Sequence, residues 1–143
     1  MHQISPQQLW IGHAGDGRAY RELLDRGIRV VVQLALEEAP TQPPREIAVL
    51  RIPLLDGAGN ESFLISLAIN SVAALIRQNV PTLICCSAGM SRSPAIIAAA
   101  VSLVQNVAID ECLRSISAHH PADVSPGLWD EIVHARSRVD TGR

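Results

Sequence analysis

Thr82-Leu83-Ile84-Cys85-Cys86-Ser87-Ala88-Gly89-Met90-Ser91-Arg92-Ser93-Pro94-Ala95-Ile96-Ile97-Ala98-Ala99-Ala100 is a run in three parts. Thr82 to Cys85 is short, apolar and partly β-branched, which predicts a buried strand. Pro94 to Val104 is apolar on all sides, which predicts a central, buried helix. Proline is tolerated in the first turn of a helix, so Cys86 to Ser93 must pass from the strand straight into a helix N-terminus. The unit is a strand, a tight loop and a helix.

Such a loop can turn successive backbone N–H groups toward one point, and the helix end adds partial positive charge. That geometry suits a phosphate or sulfate dianion. The amides of Ser87, Ala88, Gly89, Met90 and Ser91 are the candidate anion donors, and Gly89 permits torsions that a side chain would forbid. Cys86 then lies below the anion, where the same donors stabilise a thiolate and make it a nucleophile. Arg92 completes a Cys-x5-Arg pattern and can hold two phosphate oxygens with its planar fork, which lysine cannot do. Ser93 can donate a hydrogen bond to the cysteine sulfur as it leaves phosphorus. The plainer alternative is a buried structural cysteine on a helix-entry turn, with Arg92 merely solvated.

These residues resemble the signature loop of the cysteine-based protein tyrosine phosphatases. The Ala-Gly-x-Ser-Arg-Ser form is most similar to their small, atypical dual-specificity branch. That family usually has a histidine immediately before the cysteine, where it helps order the loop and tune the thiolate; here Cys85 stands there. Cys85 reads as a small core residue at a strand end. The vicinal pair also offers a redox alternative.

Expelling an alkoxide or phenoxide from phosphorus at neutral pH needs a proton donor. Asp56 is the best candidate. It follows Ile47 to Leu55, which reads as a strand running into a loop, and it opens Gly57-Ala58-Gly59-Asn60, a segment built to move. In the resembled family an aspartate at this place, ahead of a helix, supplies the acid. A turn-forming aspartate before glycine is the alternative, and Glu61 and Asp123 are the fallback carboxylates.

The resemblance reaches beyond the loop. Leu9-Trp10-Ile11-Gly12, then Leu23-Leu24-Asp25-Arg26-Gly27-Ile28 leading into Val30-Val31-Val32-Gln33-Leu34, is similar to the first third of dual-specificity phosphatases. Val124-Ser125-Pro126-Gly127-Leu128-Trp129 stands where that family often has a Pro-Asn segment before its last helix. Along the chain, Leu9 to Ile11 predicts a short strand, and Asp16 is a candidate cap for a helix that Gly27 stops. Ile28 to Leu34 predicts a buried strand, and Glu37 to Arg45, with its prolines, a surface loop. Helices are expected over Glu61 to Gln78, around Ile109 to Ile116, and from Ser125-Pro126 onward. Strands and helices in alternation argue for an α/β fold: a single domain with a mostly parallel central sheet flanked by helices, spanning residues 1–143. The resemblance implies the same.

The chain has 143 residues, 48% of them hydrophobic and only 3% aromatic, so one aliphatic core is expected. All the basic charge is arginine. The net charge of −2 and the lack of a basic cluster argue against nucleic acid as a partner. No apolar span approaches the roughly 20 residues that cross a bilayer, and no basic-then-apolar signal segment is read at the N-terminus, so neither a membrane span nor a leader is expected. Cys85, Cys86 and Cys112 are an odd set without disulfide spacing, which suits a reducing cytoplasm. The histidines lack metal-ligand spacing with the cysteines, so neither a metal nor another cofactor is expected. His2 is terminal, His134 lies on the outer part of the last helix, His119 and His120 stand at a helix end, and His13 is a loop histidine, the only one worth watching.

Three functions fit. The first, which the resemblance favours, is a metal-independent phosphomonoester hydrolase working through a phosphocysteine, with Cys86, Arg92, Asp56 and Ser93 as its catalytic set. A rhodanese-like sulfurtransferase would have no use for Asp56 and Ser93. A non-catalytic phosphate-binding module would need no full set. Members of the resembled family that act on inositol phosphates often carry lysines in this loop, so with Ala88 and Met90 uncharged the resemblance implies a phosphoprotein or simple aryl phosphate over an inositol phosphate. Nothing in the sequence fixes an oligomeric state, and a monomer is the default.

Overall fold

Side chains alternate between two apolar faces along every central strand of the computed structural model, which describes residues 1–4 and 6–141. Strand β5 (Thr82–Cys85) lies between β2 (Leu9–Gly12) and β3 (Val30–Ala35), and β4 (Ala48–Leu54) pairs with the far side of β3. These pairings are parallel, with Cys85 opposite both Gly12 and Gln33. A short strand β1 (His2–Ile4) joins β2 antiparallel. The order β1-β2-β5-β3-β4 makes a mixed, mostly parallel sheet, as the alternation of elements predicts.

Ile11, Val32 and Ile84 point to the larger apolar cluster. Trp10, Val31, Leu83 and Cys85 point to the smaller one. Four helices supply the larger cluster: α2 (Ser62–Arg77), α3 (Arg92–Gln105), α4 (Ile109–Ser117) and α5 (Pro126–Thr141). The smaller is closed by α1 (Tyr20–Asp25) through Leu23, with Ile28 and Ile47. Helix α3 packs against α2, α4 and α5, and every residue from Arg92 to Leu103 is buried. Burying Ile96 or Ile97 contributes about 1.5–3 kcal/mol each, while the Ala98-Ala99-Ala100 run keeps the helix narrow enough to be surrounded. The helix that carries the arginine is thus the best anchored in the fold.

Helices α1 and α2 turn into the sheet by the same device. Gly27 (φ +77°) and Asn79 (φ +56°) adopt the left-handed region after the last turn. The N–H of Ile28 bonds to the carbonyl of Leu23 at 2.9 Å, and that of Val80 to Leu75 at 3.0 Å. These are Schellman closures.

Two features depart from the sequence expectations. Asp16 does not cap α1; it opens a separate 3-10 turn, Asp16–Arg18, and the residue preceding α1 is Ala19. The Asp16 carboxylate instead accepts the N–H of His13 at 3.0 Å, closing the turn behind it. Strand β1 was not expected, because three residues carry no readable period. Parallel pairing brings the carboxyl ends of β2, β3, β4 and β5 to one edge, where ligands bind in open α/β sheets. Four connections meet there: the Gly12 to Asp16 turn, the Cys86 to Ser91 loop, Leu36 to Glu38, and Leu55 to Asn60.

Candidate active site

Cys86 leaves the end of β5 and is 3% exposed at the floor of the loop. Three loop carbonyls point outward and are held there. Ser87 O accepts the Ala14 N–H at 3.1 Å, Met90 O accepts the Asp123 N–H at 2.7 Å, and Gly89 O is 2.9 Å from His120 Nε2. Gly89 has φ +77°, and a Cβ there would stand 2.7 Å from the Gly12 carbonyl oxygen, so both torsion and space demand glycine. Among the described residues, the N–H groups of Ser87, Ala88, Gly89, Met90 and Ser91 donate to no backbone carbonyl. Ser91 occupies the N-cap position of α3 without capping it by its side chain. Its hydroxyl donates to Asp56 at 2.6 Å instead. The helix start is left with unspent donors and positive partial charge, the condition for anion binding.

Arg92 is 3% exposed in the first turn of α3. Nη1 donates to the Leu54 carbonyl at 2.8 Å and to Glu37 Oε1 at 2.7 Å; Nη2 donates to Glu37 Oε2 at 2.5 Å. Glu37 therefore grips the end of the guanidinium, whereas the buried Nε has no hydrogen-bond partner among the described residues. Nη2 also donates to Ser87 Oγ at 3.5 Å, a long bond that a phosphate oxygen can replace, so Nε and this side of Nη2 form the edge that meets a ligand. Ser93 Oγ, fully buried one residue on, is also without a partner among the described residues and does not hydrogen-bond to Cys86. Buried polar groups are rarely left unpaired, so two orphans flanking one loop mark a ligand site.

Glu37 was expected only as the start of a surface loop. The loop is irregular as expected, but its first residue turns inward to the arginine. The hydrogen bond from Arg92 outweighs desolvation and brings the Glu37 carboxyl down from 4.5 to about 2. The same pairing holds Arg92 more firmly charged. A lowered carboxyl pKa stabilises the fold above the unfolded-state value and loses that contribution as pH falls toward the folded-state value. The stability gap between wild type and Glu37→Gln should therefore be constant above pH 4.5 and shrink between pH 4.5 and 2. Urea unfolding at a series of pH values measures it; a gap independent of pH would mean the pair contributes nothing. Glu37→Gln should also lower kcat/KM by about tenfold, because a misaligned guanidinium loses transition-state contacts.

Asp56 is brought to the loop from the end of β4. Its Oδ1 accepts from Ser91 Oγ at 2.6 Å and from Ser125 Oγ at 2.8 Å, while Ser91 Oγ accepts the Ser125 N–H at 3.0 Å. The fallback carboxylates are placed differently. Glu61 is exposed at the N-cap of α2, and Asp123 reaches the loop through its backbone only. The segment after Asp56, expected to move, is tied at both ends. Asn60 Oδ1 accepts the Leu55 N–H at 2.7 Å and its amide donates to Gly57 O at 3.0 Å. Glu131 on α5 accepts the N–H groups of Gly59 and Asn60 at 2.8 and 3.2 Å. Burial raises the Glu131 carboxyl, but these bonds outweigh it and hold it below its usual value.

The vicinal cysteines face opposite sides of the sheet, Cys86 in the larger cluster and Cys85 in the smaller. Burial, with the nearby Cys86 and Asp16, pushes the Cys85 thiol up to about 12, so it stays protonated and structural. His13 is exposed and packs on its own turn, with Nδ1 accepting the Asp16 N–H at 3.3 Å. His120 touches the loop instead, and no spacing in the sequence signals it. Glu37 had one faint signal: an acidic pair at the end of a buried parallel strand.

A family model described as Tc-R-P, "Polymorphic toxin system, DSP-PTPase phosphatase", matches residues 11–106, well over half of the chain. The human dual specificity phosphatase 28 is 25% identical over 133 residues, covering 91% of this chain and 74% of the relative. The crystal structure of human DUSP28 superposes with a TM-score of 0.85 at 21% identity, covering all of both chains. That of a mouse putative dual specificity phosphatase complexed with zinc tungstate gives 0.81 at 21% identity, covering 99% of this chain and 94% of that one. With the family model spanning the stretch from β2 through α3 that holds the loop, Glu37 and Asp56, the chain belongs to the dual-specificity branch of the cysteine-based protein tyrosine phosphatases, a family of hydrolases.

Proposed function

We propose that residues 1–143 form one catalytic domain that hydrolyses phosphate monoesters through a phosphocysteine on Cys86. The observation that carries this is the pair of buried orphans, Arg92 Nε and Ser93 Oγ, beside inward-facing loop amides above a buried cysteine. The phosphate takes the Nε–Nη2 edge of Arg92, displacing the long bond to Ser87 Oγ, and the loop N–H groups, which hold the charge that spreads over its oxygens in the transition state. Cys86 sulfur attacks phosphorus in line, forming an S–P bond as the P–O bond to the leaving group breaks. Asp56 gives its proton to that leaving oxygen. Water then attacks phosphorus, yielding its proton to Asp56, and the sulfur departs while accepting a hydrogen bond from Ser93. The related mouse structure contains tungstate, a tetrahedral oxyanion of phosphate's shape.

The substrate class follows from the loop and its rim. Ala88 and Met90 place no charge in the loop, and Met90, Leu55 and Leu36 expose apolar surface, which suits a phosphoprotein or an aryl phosphate. No nucleic acid is involved, and the enzyme works as a cytoplasmic monomer without a metal or other cofactor. Among the described residues no helix is long and apolar enough to cross a membrane, and no three His, Cys, Asp or Glu side chains are grouped to hold a metal ion.

The test of the acid uses its dependence on the leaving group. A phenol of low pKa departs almost unaided, whereas a tyrosyl or alkyl oxygen needs the proton. Asp56→Asn should cost about 100-fold or more in kcat/KM on poor leaving groups and far less on good ones. The alkaline limb of the kcat/KM profile should flatten in the variant. A series of aryl phosphates assayed against pH measures both. Identical leaving-group slopes in the two proteins would reduce Asp56 to a turn residue.

A further inference from the structure

A trans peptide sets its C=O and its N–H in opposite directions. Each outward-held loop carbonyl therefore fixes an inward N–H one residue later. The bond to Ser87 O aims the amide of Ala88, that to Gly89 O aims Met90, and that to Met90 O aims Ser91. Two of these carbonyls are held by backbone N–H groups, of Ala14 and Asp123. The third is held by a side chain, His120 Nε2 at 2.9 Å from Gly89 O. Its peptide is also the one that follows a glycine, whose torsions are the least restrained in the loop. The position immediately before Cys86, meanwhile, carries Cys85, which packs into the opposite cluster and offers the loop no donor.

We propose that His120 is a positioning residue for the phosphate-binding loop, holding the Gly89–Met90 peptide so that the Met90 N–H points at the phosphate. The proposal rests on the phosphatase reading above. His120 comes from the segment between α4 and α5, just before Pro121, and its ring lies against His2 of β1 with centroids 5.6 Å apart. A neutral imidazole with its proton on Nε2 and an imidazolium both donate this bond, so the latch works in either state. Without it, the peptide can rotate and present its carbonyl to the anion, replacing an attraction by a repulsion. The loss falls on substrate and transition state alike, because the phosphoryl oxygens are bound in both.

Wild type, His120→Ala, His120→Gln and, as a control outside the site, His119→Ala should be compared with an aryl phosphate as substrate and orthovanadate as inhibitor. His120→Ala should weaken orthovanadate binding by about tenfold, the effect of one lost hydrogen bond to a charged group. It should also lower kcat/KM by about tenfold through KM, with kcat little changed, because ground state and transition state lose the donor alike. His120→Gln, whose side-chain amide can replace the Nε2 donor, should recover most of both, and His119→Ala should match wild type. In 15N-labelled protein the Met90 amide should shift on orthovanadate binding in wild type and His120→Gln but not in His120→Ala. Unchanged orthovanadate affinity in a folded His120→Ala would overturn the proposal, as would a folded His120→Gln with no recovery. If the alanine variant does not fold, the glutamine variant and the Met90 resonance decide it. A wild-type protein without activity on any aryl phosphate would sink the phosphatase reading instead.

Discussion

Cys86→Ser is expected to lose turnover by roughly 10⁴-fold or more, as enzymes do when their nucleophile is removed, while the protein folds and still binds phosphate. A serine hydroxyl is not ionised by the donors that stabilise a thiolate, and the loop amides and Arg92 that bind the anion are untouched. The change is nearly isosteric at a site 3% exposed, so a stability loss of no more than about 1 kcal/mol is expected. Cys85→Ser supplies the contrast. Its side chain lies among Trp10, Val31 and Leu83, where a hydroxyl without a partner costs about 1–3 kcal/mol. That variant should melt earlier yet keep its kcat. Assaying both for aryl phosphate turnover and for thermal unfolding checks the assignment; an active Cys86→Ser beside an inactive Cys85→Ser would reverse it.

Arg92→Lys should fall by on the order of 1,000-fold in kcat/KM, the scale on which removing an arginine from phosphoryl transfer is felt. Charge is conserved in this change; geometry is not. Arg92 holds Glu37 with the end of its fork and Leu54 O with Nη1, and presents to the phosphate Nε and the side of Nη2 that makes the long bond to Ser87 Oγ. An ammonium on a flexible stem has three donors at one point and cannot serve Glu37 and two phosphate oxygens together. The strongest effect should be on kcat, because the fork follows the oxygens as charge shifts in the transition state. Steady-state kinetics on one good and one poor leaving group measure it. Retention of most of kcat would show that a point charge suffices and that the two-edged grip of Arg92 is not what the reaction uses.

Local chemistry made much of this legible in the sequence. The strand, loop and helix around Cys86 are encoded in adjacent residues, and Arg92 and Ser93 lie on the same turn. The parallel sheet followed from alternation of short apolar runs with helical stripes. Asp56 could be placed because the chain enters its loop from a strand of readable length. What was not legible depends on partners far apart in the chain. Glu37 meets Arg92 across 55 positions, Glu131 meets Asn60 across 71, and His120 meets Gly89 across 31. Beyond the acidic pair at a strand end that includes Glu37, nothing in the type or spacing of Glu37, Glu131 or His120 marks these partnerships before the fold exists. Asp16 misled for a local reason: an aspartate ahead of a helix can cap it or close the preceding turn, and here the His13 N–H won. Glycines around Asp56 suggested motion, but Asn60 and Glu131 take up the backbone donors that a loose loop would expose.

The most direct test of the phosphocysteine is to catch it. Wild-type protein mixed with a phosphate-labelled aryl phosphate should be acid-quenched within one turnover, digested, and its peptides mapped for the label by mass spectrometry. The account predicts one phosphoryl group on the peptide that contains Cys85 and Cys86, with fragmentation placing it on Cys86. Label on Cys85 or on a histidine, or hydrolysis under way with no labelled protein at any quench time, would contradict it.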